Sequence, residues 1–279
     1  MSLINPANTG IEGQLIAINF RTSMMGIENG PRTQSLIYHS KENRNAAWGI
    51  SIQNDKINIE SHGTVTFDFS YKLDINPNTK VNLGIKGGGF FNSVDVNSIE
   101  RITPESNPSL DLVQNYWNPV VGVGVFLKGK NYFFGLSTNN LLKSNRYEEK
   151  NGLVSQAVDK GQFYTSFGVD FKLTDRLSIS PSLMYSLVTN IDNQLTAISH
   201  LNFNEKFSVG LGVSNNYYTS LQLLFKGFKG LDIGIGYESR NSSSTKNSSI
   251  ALNANNSEIF LRYKFNPNPG KKSSWYKEN

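Results

Sequence analysis

The sequence predicts an all-β fold: a closed antiparallel transmembrane β-barrel of about 14 strands, with short periplasmic turns and longer extracellular loops. Three observations lead there. Apolar residues recur at every second position from one end of the 279-residue chain to the other, while helical periodicity is almost nowhere. The connections between these segments alternate between short and long, as they do in barrels of the outer membrane. Glycines concentrate on the face opposite the aliphatic residues, where missing side chains relieve crowding on an inner wall.

The first two segments, residues 12–21 and 33–40, are joined by the long connection "SMMGIENGPR". Residues 48–54 follow after the short turn "KENRN". In residues 60–73, Val65, Phe67, Phe69, Tyr71 and Leu73 share one face, with Thr66, Asp68, Ser70 and Lys72 on the other. Residues 81–92 place Gly84 and Gly88 opposite the aliphatic face, and 119–128 do the same with Gly122 and Gly124. Segment 131–139 follows the turn "GK", and a long connection, "LLKSNRYEEKNGLVSQAVDK", leads to 161–173. There Phe163, Thr165, Phe167, Val169, Phe171 and Leu173 fall on one face. Segments 177–188, 193–203, 207–215, 217–226 and 231–239 continue the alternation, and 257–265 closes it after "NSSSTKNSSIALNANN". Strands of this length span a bilayer when tilted. Tyr71, Phe91, Trp117, Tyr132, Tyr185, Tyr237 and Phe265 lie near segment ends, where aromatic girdles would meet the membrane boundaries. A large soluble β-sandwich would also alternate, but it has no reason to sort its loops by length.

Composition narrows the function. The chain has no cysteine, so a disulfide framework and a thiol nucleophile are excluded. The formal charge of +5 comes from scattered basic residues rather than a groove with stacking aromatics, which argues against nucleic acid. The G-x-G pairs lie inside strands with no helix after them and so are not nucleotide loops. His39, His62 and His200 stand on separate segments without metal-ligand spacing. No nucleophile elbow, Walker loop or S-x-x-K box occurs. The expectation is a non-enzymatic protein with no catalytic residues, no metal and no cofactor. Asp95 and its neighbours in 93–97 read as a solvated loop, and the Asn-x-Ser triplets at Asn241 and Asn247 as chance in an Asn/Ser-rich stretch.

Several stretches in order resemble one family along nearly the whole chain. They are "INPANTG" (4–10), "GIENGPRTQSLIYH" (26–39), "WGISIQNDKIN" (48–58), "GVGVFLKGKNYFFGLSTNNLL" (122–142), "FGVDFKLTDRLSISPSLM" (167–184) and "EIFLRYKF" (258–265). The family is the PorP/SprF-like outer-membrane proteins of the type IX secretion system in Bacteroidota. The resemblance implies a component that supports export or surface attachment of a large adhesin-type cargo by binding its C-terminal signal domain, with a role in gliding motility. It implies partners among other secretion components, including a periplasmic peptidoglycan-linked protein, alongside the lipid bilayer and lipopolysaccharide. It also implies that Met1 is not the native start. A passive outer-membrane channel or hydrophobic-ligand transporter is the alternative.

Within this frame residues 1–13 are expected to form an amino-terminal segment that plugs the lumen, 14–265 the barrel, and 266–279 a periplasmic tail whose two prolines preclude a further strand. The first outward loop is the candidate cargo contact. Met24 and Met25 offer adaptable apolar surface, Arg21 and Arg32 offer charge, and Gly26, Gly30 and Pro31 shape it. Lys41, Arg44, Lys128, Lys130, Lys226 and Lys229 form a candidate basic rim toward a periplasmic partner.

Overall fold

In a computed structural model, residues 2–25, 30–94, 115–142, 145–150, 153–158, 161–188, 193–240 and 255–265 are described. A 3-10 turn, Pro6–Asn8, precedes β1 (Leu15–Thr22), β2 (Arg32–His39), β3 (Ala46–Ile57), β4 (Glu60–Asn76), β5 (Thr79–Val94), β6 (Asn115–Lys128) and β7 (Tyr132–Thr138). Then come β8 (Asn145–Lys150), β9 (Leu153–Val158), β10 (Gln162–Val169), β11 (Phe171–Lys172), β12 (Leu177–Val188) and β13 (Gln194–Phe203). The last four are β14 (Phe207–Ser214), β15 (Tyr218–Lys226), β16 (Leu231–Arg240) and β17 (Asn256–Lys264).

Each wall strand pairs antiparallel with its chain neighbours. The sheet closes where β1 meets β17, from Leu15 opposite Lys264 to Thr22 opposite Ser257, and where β10 meets β12. Counting β10 and β11 as one stave broken at Asp170, the barrel has 14 staves, as the alternation predicts. The register runs on through Asp170: Gly168 lies opposite Ser182 and Phe171 opposite Ile179, and the Asp170 amide donates to the Asn131 carbonyl at 2.7 Å in line with the β7 pairing.

The barrel is apolar outside and polar inside. Phe67, Phe69, Ile85, Leu211 and Ile235 are exposed on its outer face, whereas Ser51, Thr66, Asp68, Ser70, Lys86 and Ser208 are buried within. A water-soluble sandwich would bury the first set and expose the second. A closed sheet with a greasy outer band is what lipid requires, because every backbone group is satisfied by a neighbouring strand. The girdle aromatics also face outward, with Trp117 and Tyr237 among the exposed rings, and Trp48 stacks on Phe67 with ring centroids 5.9 Å apart.

Two features differ from the sequence expectation. The long connection after β7 contains a hairpin, β8 with β9, that pairs only with itself. Its charged "NRYEEK" run has no apolar face and so carries no strand signal. The sorting of loops by length is also looser than expected. The β3–β4 turn at the long-loop end is only Asn58 and Ile59, made possible by Asn58 at a φ of 54°. At the opposite end, Arg44 and Asn45 both take positive φ in the β2–β3 turn, as do Asn204 and Glu205 between β13 and β14.

Candidate functional site in the lumen

The chain before β1 does not lie along the membrane surface; it turns into the barrel. Gly10 makes the turn at a φ of +76°, against a wall position where a Cβ would overlap that of Ala47. Residues 2–9 then run up the lumen against β2 to β7. The inner wall holds this segment through side chains that reach its backbone. Lys86 Nζ donates to the carbonyls of Ser2 at 3.1 Å and Leu3 at 2.8 Å. Asn139 Nδ2 donates to the Leu3 carbonyl at 2.8 Å, Ser137 Oγ to that of Ile4 at 3.0 Å, and Ser70 Oγ to that of Ala7 at 3.2 Å. In return, Asn5 Nδ2 donates to the wall carbonyls of Val125 and Leu136, while its Oδ1 accepts from the Ala7 amide and caps the short turn. His39 Nε2 lies 2.8 Å from Ser2 Oγ.

The inner-wall glycines acquire a specific reason here. A Cβ at Gly84 would overlap the backbone of Ala7, and one at Gly124 would overlap the Asn5 side chain. These positions are bare because the segment lies against them, rather than only to ease strand coiling.

Two charge clusters flank the segment. At its upper end Lys86 and Asp68 face each other at 3.7 Å, both fully buried. At its base, Glu12 receives Arg262 Nη1 at 2.7 Å and Lys264 Nζ at 2.9 Å, and Arg262 also grips Asp232 at 2.6 Å. The protein packed around the Glu12 carboxyl would raise its pKa even with 42% of the side chain exposed, but the charges of Arg262 and Lys264 beside it override this and hold it at about 2. Above the segment, in the long-loop half of the barrel, lies a cavity of about 530 Å³. Leu3 and Ile4 form its floor, and Ser51, Gln53, Gln162 and Tyr164 are part of its wall.

The residues singled out from the sequence divide between lip, lumen and rim. Met24, Met25, Gly30, Pro31 and Arg32 gather at the long-loop lip. The Met25 amide donates to the Asn255 carbonyl at 2.8 Å, and that of Met24 to Asn256 Oδ1 at 3.2 Å. Gly26 lies outside the described residues. Arg21 is elsewhere: it faces the lumen and is ion-paired to Glu238 and Glu258. Of the basic residues, Lys41, Arg44, Lys130 and Lys229 are exposed on short turns, whereas Lys128 and Lys226 end strands β6 and β15 as half-buried residues. Asn241, Asn247 and the tail from 266 lie outside the described residues. Among the described residues no group of acidic or histidine side chains is spaced to hold a metal.

Sequence reasoning missed Lys86, Asn139, Ser137 and Arg262. A signal existed for Lys86 and Asp68, a mid-strand charge each in the inward phase of a long wall strand, a costly placement unless the charge has a partner.

The model of one family, "Type IX secretion system membrane protein PorP/SprF", matches residues 1–263. No curated protein sequence matches the chain. In fold it is similar to the toluene transporter TbuX of Ralstonia pickettii, with a TM-score of 0.56 at 12% identity over 94% of this chain and 92% of that one. It is similar too to the monoaromatic hydrocarbon channel CymD, with a TM-score of 0.54 at 11% identity over 94% and 92%. Omp33, an outer-membrane protein of Acinetobacter baumannii, gives 0.50 at 12% identity over 92% and 100%. At these identities the likeness is one of barrel architecture.

Proposed function

Because the chain belongs to the PorP/SprF family of type IX secretion system membrane proteins and is an outer-membrane β-barrel, we propose that it is a closed docking component of that system rather than a conduit. It supports export or surface attachment of a cargo protein, of large adhesin type, by binding the cargo's C-terminal signal domain at the lip that carries Met24, Met25 and Arg32. It serves gliding motility where that cargo is an adhesin, and it works without catalysis. Lys41, Arg44 and Lys130 offer basic charge on the periplasmic turns to other secretion components, including a peptidoglycan-linked protein.

One observation supports this reading: side chains of the inner wall donate at least four hydrogen bonds to the backbone of the amino-terminal segment inside the lumen. A barrel with its bore occupied offers its surfaces, not its passage. The cavity left above the segment mixes hydroxyl and amide side chains with Leu3, Ile4, Phe90, Pro119 and Val120, so a guest there has polar groups to satisfy as well as apolar surface to cover.

Purification of the tagged chain from native outer membranes, with companions identified by mass spectrometry, tests the reading. The expected companions are type IX components and secreted proteins sharing a C-terminal domain, the latter lost when Met24, Met25 and Arg32 are replaced by serine. Recovery of the barrel with no secreted protein would refute the docking role.

A further inference from the structure

We propose that the cavity above Leu3 and Ile4 is a binding site for a short, uncharged, extended stretch of polypeptide. The idea deepens the docking reading and rests on it for the source of that stretch, which is the cargo. Three observations carry it.

The first is a set of unpaired polar atoms. Ser51 Oγ, Asn139 Oδ1 and Asn140 Oδ1 are buried with no hydrogen-bond partner, and all three residues line the cavity. Ser51 is only 2% exposed. Each of these atoms has under 1 Å² exposed, so a guest meets it only as the side chain turns into the cavity. Buried polar groups are rarely left unsatisfied, and three acceptors around one cavity point to a visitor that donates hydrogen bonds.

The second is that this wall already binds a peptide backbone. Asn139 gives its Nδ2 to the Leu3 carbonyl at 2.8 Å, while its Oδ1 accepts nothing. A primary amide matches a peptide group in both senses, donating to C=O and accepting from N–H. Half of this side chain is occupied by the protein's own segment, and the other half has the polarity to take a peptide N–H. Gln53 and Gln162 add further amides to the same wall.

The third is charge and size. Lys86 lines the cavity, but Asp68 at 3.7 Å and the two carbonyls it serves occupy its ammonium. The pocket therefore presents no net charge to a visitor, which excludes an acidic or basic segment as the preferred guest. Its volume of about 530 Å³ falls in the range of ligand sites, roughly 300–1,000 Å³. Leu3 and Ile4 close its floor, so a segment entering from the long-loop end stops there.

A photo-crosslinking phenylalanine analogue at Tyr164, inside the cavity, and another at Met25, on the lip, test this in full-length protein in its native membrane. The joined fragments are sequenced by mass spectrometry. The expected result is capture of secreted protein at both positions, with the Tyr164 fragment free of charged residues. Capture at Met25 alone, or glycan alone at Tyr164, overturns the cavity proposal and leaves the docking reading standing. Capture of secreted protein at neither overturns both. As a second arm, Ser51→Ala with Asn140→Leu removes two unpaired atoms. Thermal stability should hold or rise while capture at Tyr164 falls about tenfold; unchanged capture counts against the site.

Discussion

The carboxylate of Glu12 accepts a hydrogen bond from Arg262 Nη1 at 2.7 Å, so the start of the chain is tied to its last strand across 250 positions of sequence. This bond, together with Lys264 at 2.9 Å, anchors the base of the lumen segment.

Replacing Glu12 with glutamine should loosen that anchor. A cysteine at Ser2 should then react with a membrane-impermeant maleimide about tenfold faster than in a Ser2→Cys control that keeps Glu12. No change in rate would place the grip entirely at Lys86 and its neighbours.

The same anchor fixes a pH response. Glu12 is held at about 2, below its ordinary value of 4.5. A lowered folded value means the stabilisation is fully present above 4.5 and disappears as pH falls through about 2. Labelling of Ser2→Cys, corrected for thiol ionisation, should therefore be flat from neutral pH down to about 4.5. A rise beginning near neutrality would implicate another group.

Leu221 and Ser220 are consecutive residues of β15 on opposite faces, Leu221 exposed on the outer wall. Leu221→Arg should cost roughly 2–4 kcal/mol of folding into bilayers, the penalty of a charge facing lipid near mid-membrane. Ser220→Arg should cost far less. Urea titration in lipid vesicles measures both, and equal costs would contradict the assignment of faces.

Asp68 and Lys86 are buried together inside the wall. Lys86→Met alone leaves an uncompensated carboxylate and should destabilise by about 3–5 kcal/mol. Asp68→Leu added to it should recover most of that loss. A double variant as unstable as the sum of the singles would show that the two do not act as a pair.

The strands were legible because every wall segment has one face toward lipid and one toward the lumen, and the resulting period of two can be read residue by residue even where averaged hydropathy hides it. Residues 177–188 read from the sequence coincide with β12. The inward direction of Arg21 was also there to be read, since it shares a phase with Asn19 against Ile18 and Phe20. Its partners were not, because Glu238 and Glu258 come beside it only through the β17–β1 closure. The path of the lumen segment was legible only as a tendency. Its holders, Lys86, Ser137 and Asn139, meet it across more than 80 residues of sequence, and the bare glycines opposite it looked like ordinary wall glycines until Ala7 and Asn5 were seen against them.

The claim on which the rest depends is that the amino-terminal segment closes the bore. Conductance in planar bilayers measures it directly, comparing the full chain with Gly84→Val combined with Gly124→Val, two changes that should expel the segment by occupying its seat. The full chain should be silent and the double variant should conduct; steady ion-permeable openings from the full chain would contradict the account.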